Sequence, residues 1–196
     1  MSNKLMIAIL AMVCAFGLAA CSKGPAEAAL KAADAALEGV RADASVYVPD
    51  QLQAVEDSLA AAKQSFEAGD YKQALAGAKD LPGKAEELAA AVTAKKEELT
   101  RSWEEMQGGL PNMVEAIQSR VDILSKSRRL PAGLDKATFE NAKASLDTAK
   151  QTWSEATAAF GGGNLMDAVN KATAVKEKAA EIMAALGMQA PQAAAQ

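Results

Sequence analysis

From Phe139 to Leu186 apolar residues recur in alternating steps of three and four. The first run is Phe139, Ala142, Leu146, Ala149, Trp153, Ala156 and Phe160; the second is Leu165, Ala168, Ala172, Val175, Ala179, Ile182 and Leu186. That spacing draws one apolar stripe along an α-helix and is incompatible with the two-residue alternation of a strand. Gly161-Gly162-Gly163 lies between the runs, and Asn164 is placed to cap the second, so the segment reads as a helical hairpin. Composition extends the reading to the whole chain. The 196 residues include 47 alanines, and aromatics make up 4%. Alanine is the strongest helix former, and a sheet needs β-branched and aromatic residues that are scarce here. The expected fold class is all-α.

The first half carries the same pattern. Leu52, Val55, Leu59, Ala62 and Phe66 form one seam, Gly69-Asp70 breaks it, and Tyr71, Ala74, Ala78, Leu81, Ala85, Leu88 and Val92 form the next. Residues 58–66 match residues 145–153 in letters, and residues 66–70 match 160–164. The shift between halves changes from 87 to 94 residues, a difference of one heptad, about two helical turns, which keeps the seams in phase. A further helix precedes each hairpin: Leu30, Ala33, Leu37 and Val40 mark one over residues 26–42, and Met113, Ile117, Val121 and Leu124 mark the other over 112–126. The expectation is a duplicated three-helix unit, its antiparallel hairpins forming an elongated bundle, with unit 1 at residues 26–109 and unit 2 at 110–186. Pro82 should kink the long third helix of unit 1, and Gly108-Gly109-Leu110-Pro111 should end it. The tail, residues 187–196, carries no seam and is expected to be disordered. Stability is expected to rest on Leu59, Phe66, Tyr71, Leu75, Leu88, Leu146, Trp153, Phe160 and Ile182, with Phe66 and Phe160 buried against the returning helices.

The N-terminus reads as an address. Lys4 precedes an uncharged apolar run from Leu5 to Leu18, short for a membrane span of about 20 residues. Leu18-Ala19-Ala20-Cys21 then resembles a bacterial lipobox. That resemblance implies a signal peptide at residues 1–20, cleavage between Ala20 and Cys21, and lipidation of Cys21 by diacylglycerol and a further acyl chain such as palmitate. Val13 before Cys14 is too bulky for the same processing. Residues 21–25 would be a short lipidated tether. Ser22, where an aspartate would retain the protein at the inner membrane, resembles outer-membrane sorting, with the chain facing the periplasm.

The run Tyr47-Val48-Pro49, Leu52, Ala62, Phe66, Gly69-Asp70-Tyr71 and Ala74-Leu75 resembles an alanine-rich domain family of unknown function found in bacterial envelope proteins, often lipoproteins. The resemblance covers residues 26–92 and implies helical hairpins and an envelope location. It brings no catalytic residues.

The inventory of reactive groups is narrow. Histidine is absent, and both cysteines lie within the first 21 residues, which excludes histidine-dependent triads and most metal sites from the mature chain. The adjacent pairs Glu86-Glu87, Glu97-Glu98 and Glu104-Glu105 point about 100° apart on a helix and converge on no substrate. Glu97 and Arg101 are placed for a surface ion pair. Gly161-Gly162-Gly163 lacks the Lys-Ser or Lys-Thr of a phosphate loop. Eight scattered methionines make no copper site. Neither a metal nor another cofactor is expected. Trp153 reads as core, while Trp103 sits near an expected helix end.

Charge is uneven. Residues 21–109 hold 10 basic and 16 acidic residues, net −6; residues 110–196 hold 10 and 9, net +1. Arg120, Lys126, Arg128 and Arg129 cluster before Pro131 with Asp122 the sole acid among them, a candidate contact for an anionic surface. The expected function is a non-enzymatic, lipid-anchored scaffold or adaptor of the cell envelope that binds a protein partner and no nucleic acid. The alternative is a carrier or binding module holding a lipid or small hydrophobe between helices, in an enlarged gap around Trp153, Phe160 and Ile182.

Overall fold

The computed structural model describes the backbone of residues 2–189 and the side chains of residues 22–189. Its elements are α1 (Ser2–Tyr47), α2 (Pro49–Glu67), α3 (Tyr71–Lys79), α4 (Leu81–Lys126), α5 (Lys136–Gly161) and α6 (Leu165–Ala185), and the described residues hold no strand. The fold is all-α. Contacts divide it into two compact units, Met1–Lys95 and Lys96–Gln196, with the division falling inside α4. The side chains of the expected signal peptide and of Cys21 lie outside the described residues, as does the tail from residue 190. No described helix is long and apolar enough to cross a membrane.

In unit 1 the core is Leu30, Ala33, Leu37, Val40 and Ala44 of α1, Leu52, Val55, Leu59 and Ala62 of α2, and Ala78, Leu81, Ala85, Leu88 and Val92 of α3 and α4. The seam residues read from the sequence lie on it except Tyr71, which is half-buried, and Ala74, which is buried apart from it, with Phe66 at its edge. Asp34 accepts from Lys63 Nζ at 2.7 Å, and Glu56 accepts from Arg41 Nε at 2.8 Å. One residue number falls as the other rises, so α1 and α2 are antiparallel. These pairs are exposed or half-exposed and contribute little stability; they record register more than they create it. A single residue, Val48, joins α1 to α2. Pro49 forces the residue before it out of helical geometry, and Val48 sits at φ −144°, ψ 54°.

Unit 2 holds two apolar clusters. Ile117, Val121 and Leu124 pack with Phe139, Ala142 and Leu146 and with Ala179, Ile182, Met183 and Leu186. Trp103 and Leu110 pack with Ala149 and Ala156 and with Ala168, Ala172 and Val175. The order reverses along each neighbour, so α4, α5 and α6 alternate in direction. Among the described residues no polar or charged residue is buried in either unit.

The two hairpin turns are built bond for bond alike. Gly69 has φ +81° and Gly163 φ +80°. Asp70 N–H donates to the Ser65 carbonyl and Asn164 N–H to the Ala159 carbonyl, both at 2.9 Å. Asp70 Oδ1 then accepts from Gln73 N–H, and Asn164 Oδ1 from Asp167 N–H. Glycine supplies the left-handed residue that ends one helix, and the Asx side chain caps the next. The loop before α5 is also capped. Asp135 accepts from the Thr138 backbone at 2.8 Å and from its hydroxyl at 2.9 Å, and these bonds hold the Asp135 carboxyl below the usual carboxylate range.

Four expectations are corrected. Ser22 to Pro25 are helical and Ala26 is fully buried, so these residues are no flexible tether, and Pro25 is carried inside α1. Gly108-Gly109-Leu110-Pro111 does not stop α4, which runs through to Lys126. Each glycine there costs about 1 kcal/mol and the proline about 3, but Leu110 is buried in step with Trp103 and Ile117, and burial of the large seam residues outweighs that cost. Pro82 does more than kink: it leaves Asp80 as a one-residue break between α3 and α4, with Asp80 N–H bonded to the Ala78 carbonyl. The described start of the expected tail is tied down: Gly187 has φ +66°, Met188 N–H donates to the Met183 carbonyl at 2.8 Å, and Met188 packs on the core. This cap satisfies the last carbonyls of α6.

The helix and turn glycines separate cleanly in a test. Gly69→Ala forces a positive φ on a residue with a Cβ and should destabilise by about 1–2 kcal/mol. Gly108→Ala adds a methyl in open space inside α4 and should stabilise by up to about 1 kcal/mol. Denaturant melts of the two variants are expected to shift in opposite directions.

Candidate functional site

Each hairpin ends in aromatics, and the two ends differ. In unit 1, Phe66 closes α2 and Tyr71 opens α3. Their rings meet edge to face with centroids 5.1 Å apart, and both remain half-buried. Lys23 Nζ sits 6.0 Å from the Tyr71 ring centroid, at the outer limit of a cation–π contact. One turn further along α1, Glu27 pairs with Lys31, which lowers its carboxyl pKa.

In unit 2, Trp103 lies between Trp153 and Phe160. The ring centroids are 5.3 and 4.6 Å apart, with planes within 8° and 9° of parallel. Trp103 is 1% exposed, the largest fully buried side chain among the described residues, while Trp153 and Phe160 are half-buried. The expectation of Trp153 as the buried tryptophan is thus reversed. The space beside Trp153 and Phe160 that a bound hydrophobe would use is filled by the Trp103 indole, whose Nε1 meets no acceptor among the described residues. Phe66, Tyr71, Leu75, Trp153 and Phe160, expected as core, are half-buried rims of the packing, whereas Leu59, Leu88, Leu146 and Ile182 are buried as expected. The signal for Trp103 was present. Leu99, Trp103, Met106 and Leu110 keep the four-three-four spacing across the glycines.

The basic cluster surrounds the end of α4. Arg120 is half-buried, with Nε shielded and unpartnered, Lys126 lies in the last turn, and Arg128 and Arg129 are exposed in the following loop. Leu130 and Leu134 pin that loop to the core. Ile123, 59% exposed, falls three residues from both Arg120 and Lys126, on their side of the helix. Asp122, the acid among them, accepts from Gln118. Among the described residues none of the four basic groups makes an ion pair, while Lys143, Lys171 and Lys178 of the same unit are paired. The expected Glu97–Arg101 pair is not formed either.

Two open grooves recur at matched positions. One of about 270 Å³ in unit 1 is lined by Gln51, Ala54, Val55, Lys84, Glu87 and Leu88. The other, about 210 Å³ in unit 2, includes Thr138, Asn141, Ala142, Lys178, Glu181 and Ile182. The first three positions correspond by the shift of 87 residues and the last three by the shift of 94. Each groove has an aliphatic floor and a Lys/Glu rim.

The residues thus define an all-α protein of two compact helical units with distinct ends. No known protein family, curated protein or solved structure matches the chain.

The aromatic stack gives a measurable order. Trp103→Ala removes the central ring and should cost about 3–5 kcal/mol, in the range for a large core aromatic. Trp153→Ala removes a half-exposed ring and should cost less. Equal losses in chemical melts would refute the central role of Trp103.

Proposed function

We propose that this chain is a lipid-anchored, non-catalytic scaffold or adaptor of a bacterial cell envelope, held through Cys21 in the outer membrane and facing the periplasm. The observation that carries the reading is Leu18-Ala19-Ala20-Cys21 directly after a short apolar core. Two or more acyl chains at one residue anchor stably, where a single chain binds only marginally. Support for a scaffold comes from how side chains are spent. The cores are apolar throughout, the charged groups lie on the surface, and the aromatic gap that a carrier would need is filled by Trp103.

Matched turns, matched grooves and matched seams support an origin by duplication of one three-helix unit. On this reading the basic end of unit 2 is the contact for an anionic envelope component. Four unpaired cations beside an exposed isoleucine combine charge attraction with an apolar foothold.

Two measurements test the proposal. Replacing Cys21 with Ala should abolish lipid labelling and release the protein from the membrane fraction; unchanged labelling and association would overturn the anchor. Lys126→Gln/Arg128→Gln/Arg129→Gln should weaken binding of the soluble domain to anionic vesicles at low salt. At about 1 kcal/mol per cation near a charged surface, the loss is roughly fivefold for each. Equal binding of the variant and the parent would remove this surface from the function.

A further inference from the structure

We infer that the Gly69 turn of unit 1 is a membrane-seating surface, with Phe66 and Tyr71 resting in the lipid headgroup zone of the bilayer that holds the anchor. The inference rests on the lipidation of Cys21 proposed above and goes beyond it, since an anchor alone leaves the folded part free to tumble.

Three observations carry it. The first is proximity. Residues 22–25 are helical, so the fold begins without slack. Lys23 stands two residues from Cys21, about 3 Å along the helix axis, and its Nζ lies 6.0 Å from the centre of the Tyr71 ring. The headgroup layer is several ångströms deep on each side of the hydrocarbon, and a turn this close to the acylated residue falls within it. The second is chemistry. The tip carries a half-buried Phe66–Tyr71 pair, exposed Ala68 and Gly69, and the exposed cations Lys23 and Lys72 beside the exposed acids Glu67 and Asp70. A tyrosine with an apolar body and a polar hydroxyl suits the membrane–water interface, and lysines there can meet lipid phosphates.

The third is the contrast with unit 2. A shift of 80 residues carries Leu30 to Leu110, Leu37 to Ile117 and Ala44 to Leu124, all buried in their own units. The same shift carries Lys23 to Trp103. In unit 2 that position covers the aromatic end with an indole packed on Phe160 and Trp153. In unit 1 it is a lysine, and among the described residues no third ring packs on Phe66 and Tyr71, which are half-buried as Trp153 and Phe160 are. The unit whose aromatic end lies beside the anchor is the one without a protein cover. Headgroups provide that cover, and unit 1 stands with this end of its helices on the bilayer.

The test uses the acylated full chain in vesicles of phosphatidylethanolamine and phosphatidylglycerol. With Cys21 acylated and Cys14 removed with the leader, an added cysteine is the one reactive thiol. Ala68→Cys places a fluorescent label in the turn, and Val46→Cys, at a 50% exposed position about 35 Å along α1 from Ser22, serves as the distal control. A lipid with a nitroxide near its headgroup should quench the Ala68 label several-fold more than the Val46 label, and the Ala68 emission should shift to the blue on membrane attachment. Circular dichroism checks that both variants keep the parent helicity, and intact mass reads acylation independently. Equal quenching at the two sites in acylated protein overturns the seating surface and leaves the anchor standing. Cross-linking between Ala68→Cys sites of two chains without quenching also overturns it, in favour of a second copy covering the tip. A mass without acyl chains overturns both readings.

Discussion

Helix–helix contact across alanine decides what else the two units can do. Buried alanines recur on most seams, among them Ala33, Ala44, Ala62, Ala74, Ala78 and Ala85 in the first unit and Ala142, Ala149, Ala156, Ala168, Ala172 and Ala179 in the second. Small side chains let backbones approach closely, to the point where a Cβ added at Gly77 would lie 3.2 Å from that of Ala62. Such contacts bury little area each, so the leucines, isoleucines and aromatics between them carry much of the apolar burial. Beside such a core lie two open grooves at matched places in both units.

Helix α4 shows how that packing overrides local preference. Gly108, Gly109 and Pro111 are a stop signal by propensity. The residues around them, Trp103, Leu110 and Ile117, are all buried within the second unit. A break would take Leu110 out of step with its neighbours. The helix therefore continues, and the boundary between units falls after Lys95 inside a helix, where no glycine or proline marks it.

The same frame is finished differently at its two aromatic ends. Turns with nearly identical dihedral angles and hydrogen bonds present Phe66 in one unit and Phe160 in the other. One position on the preceding helix then separates them, lysine in the first and tryptophan in the second. In the second unit a stack of three rings closes the end. In the first, a cation above a tyrosine leaves it half open.

Periodicity by itself determined the helices, their buried faces and both hairpin turns. The three-four spacing of Phe139 to Phe160 or of Tyr71 to Val92 selects one face whatever the partner, and Gly-Asp and Gly-Asn carry their turn geometry locally. The basic cluster was legible as letters, and its four residues do gather at one helix end. What only the tertiary structure decided were choices between competing local signals. Whether a glycine pair and a proline end a helix depends on what Leu110 packs against. Which tryptophan is buried depends on where Trp103 meets Phe160, a contact between residues 57 apart in the chain. Whether residues 22–25 are slack or helical depends on the burial of Ala26. In each case the deciding energy is the burial of a side chain against a distant helix, and no window of local sequence contains both partners.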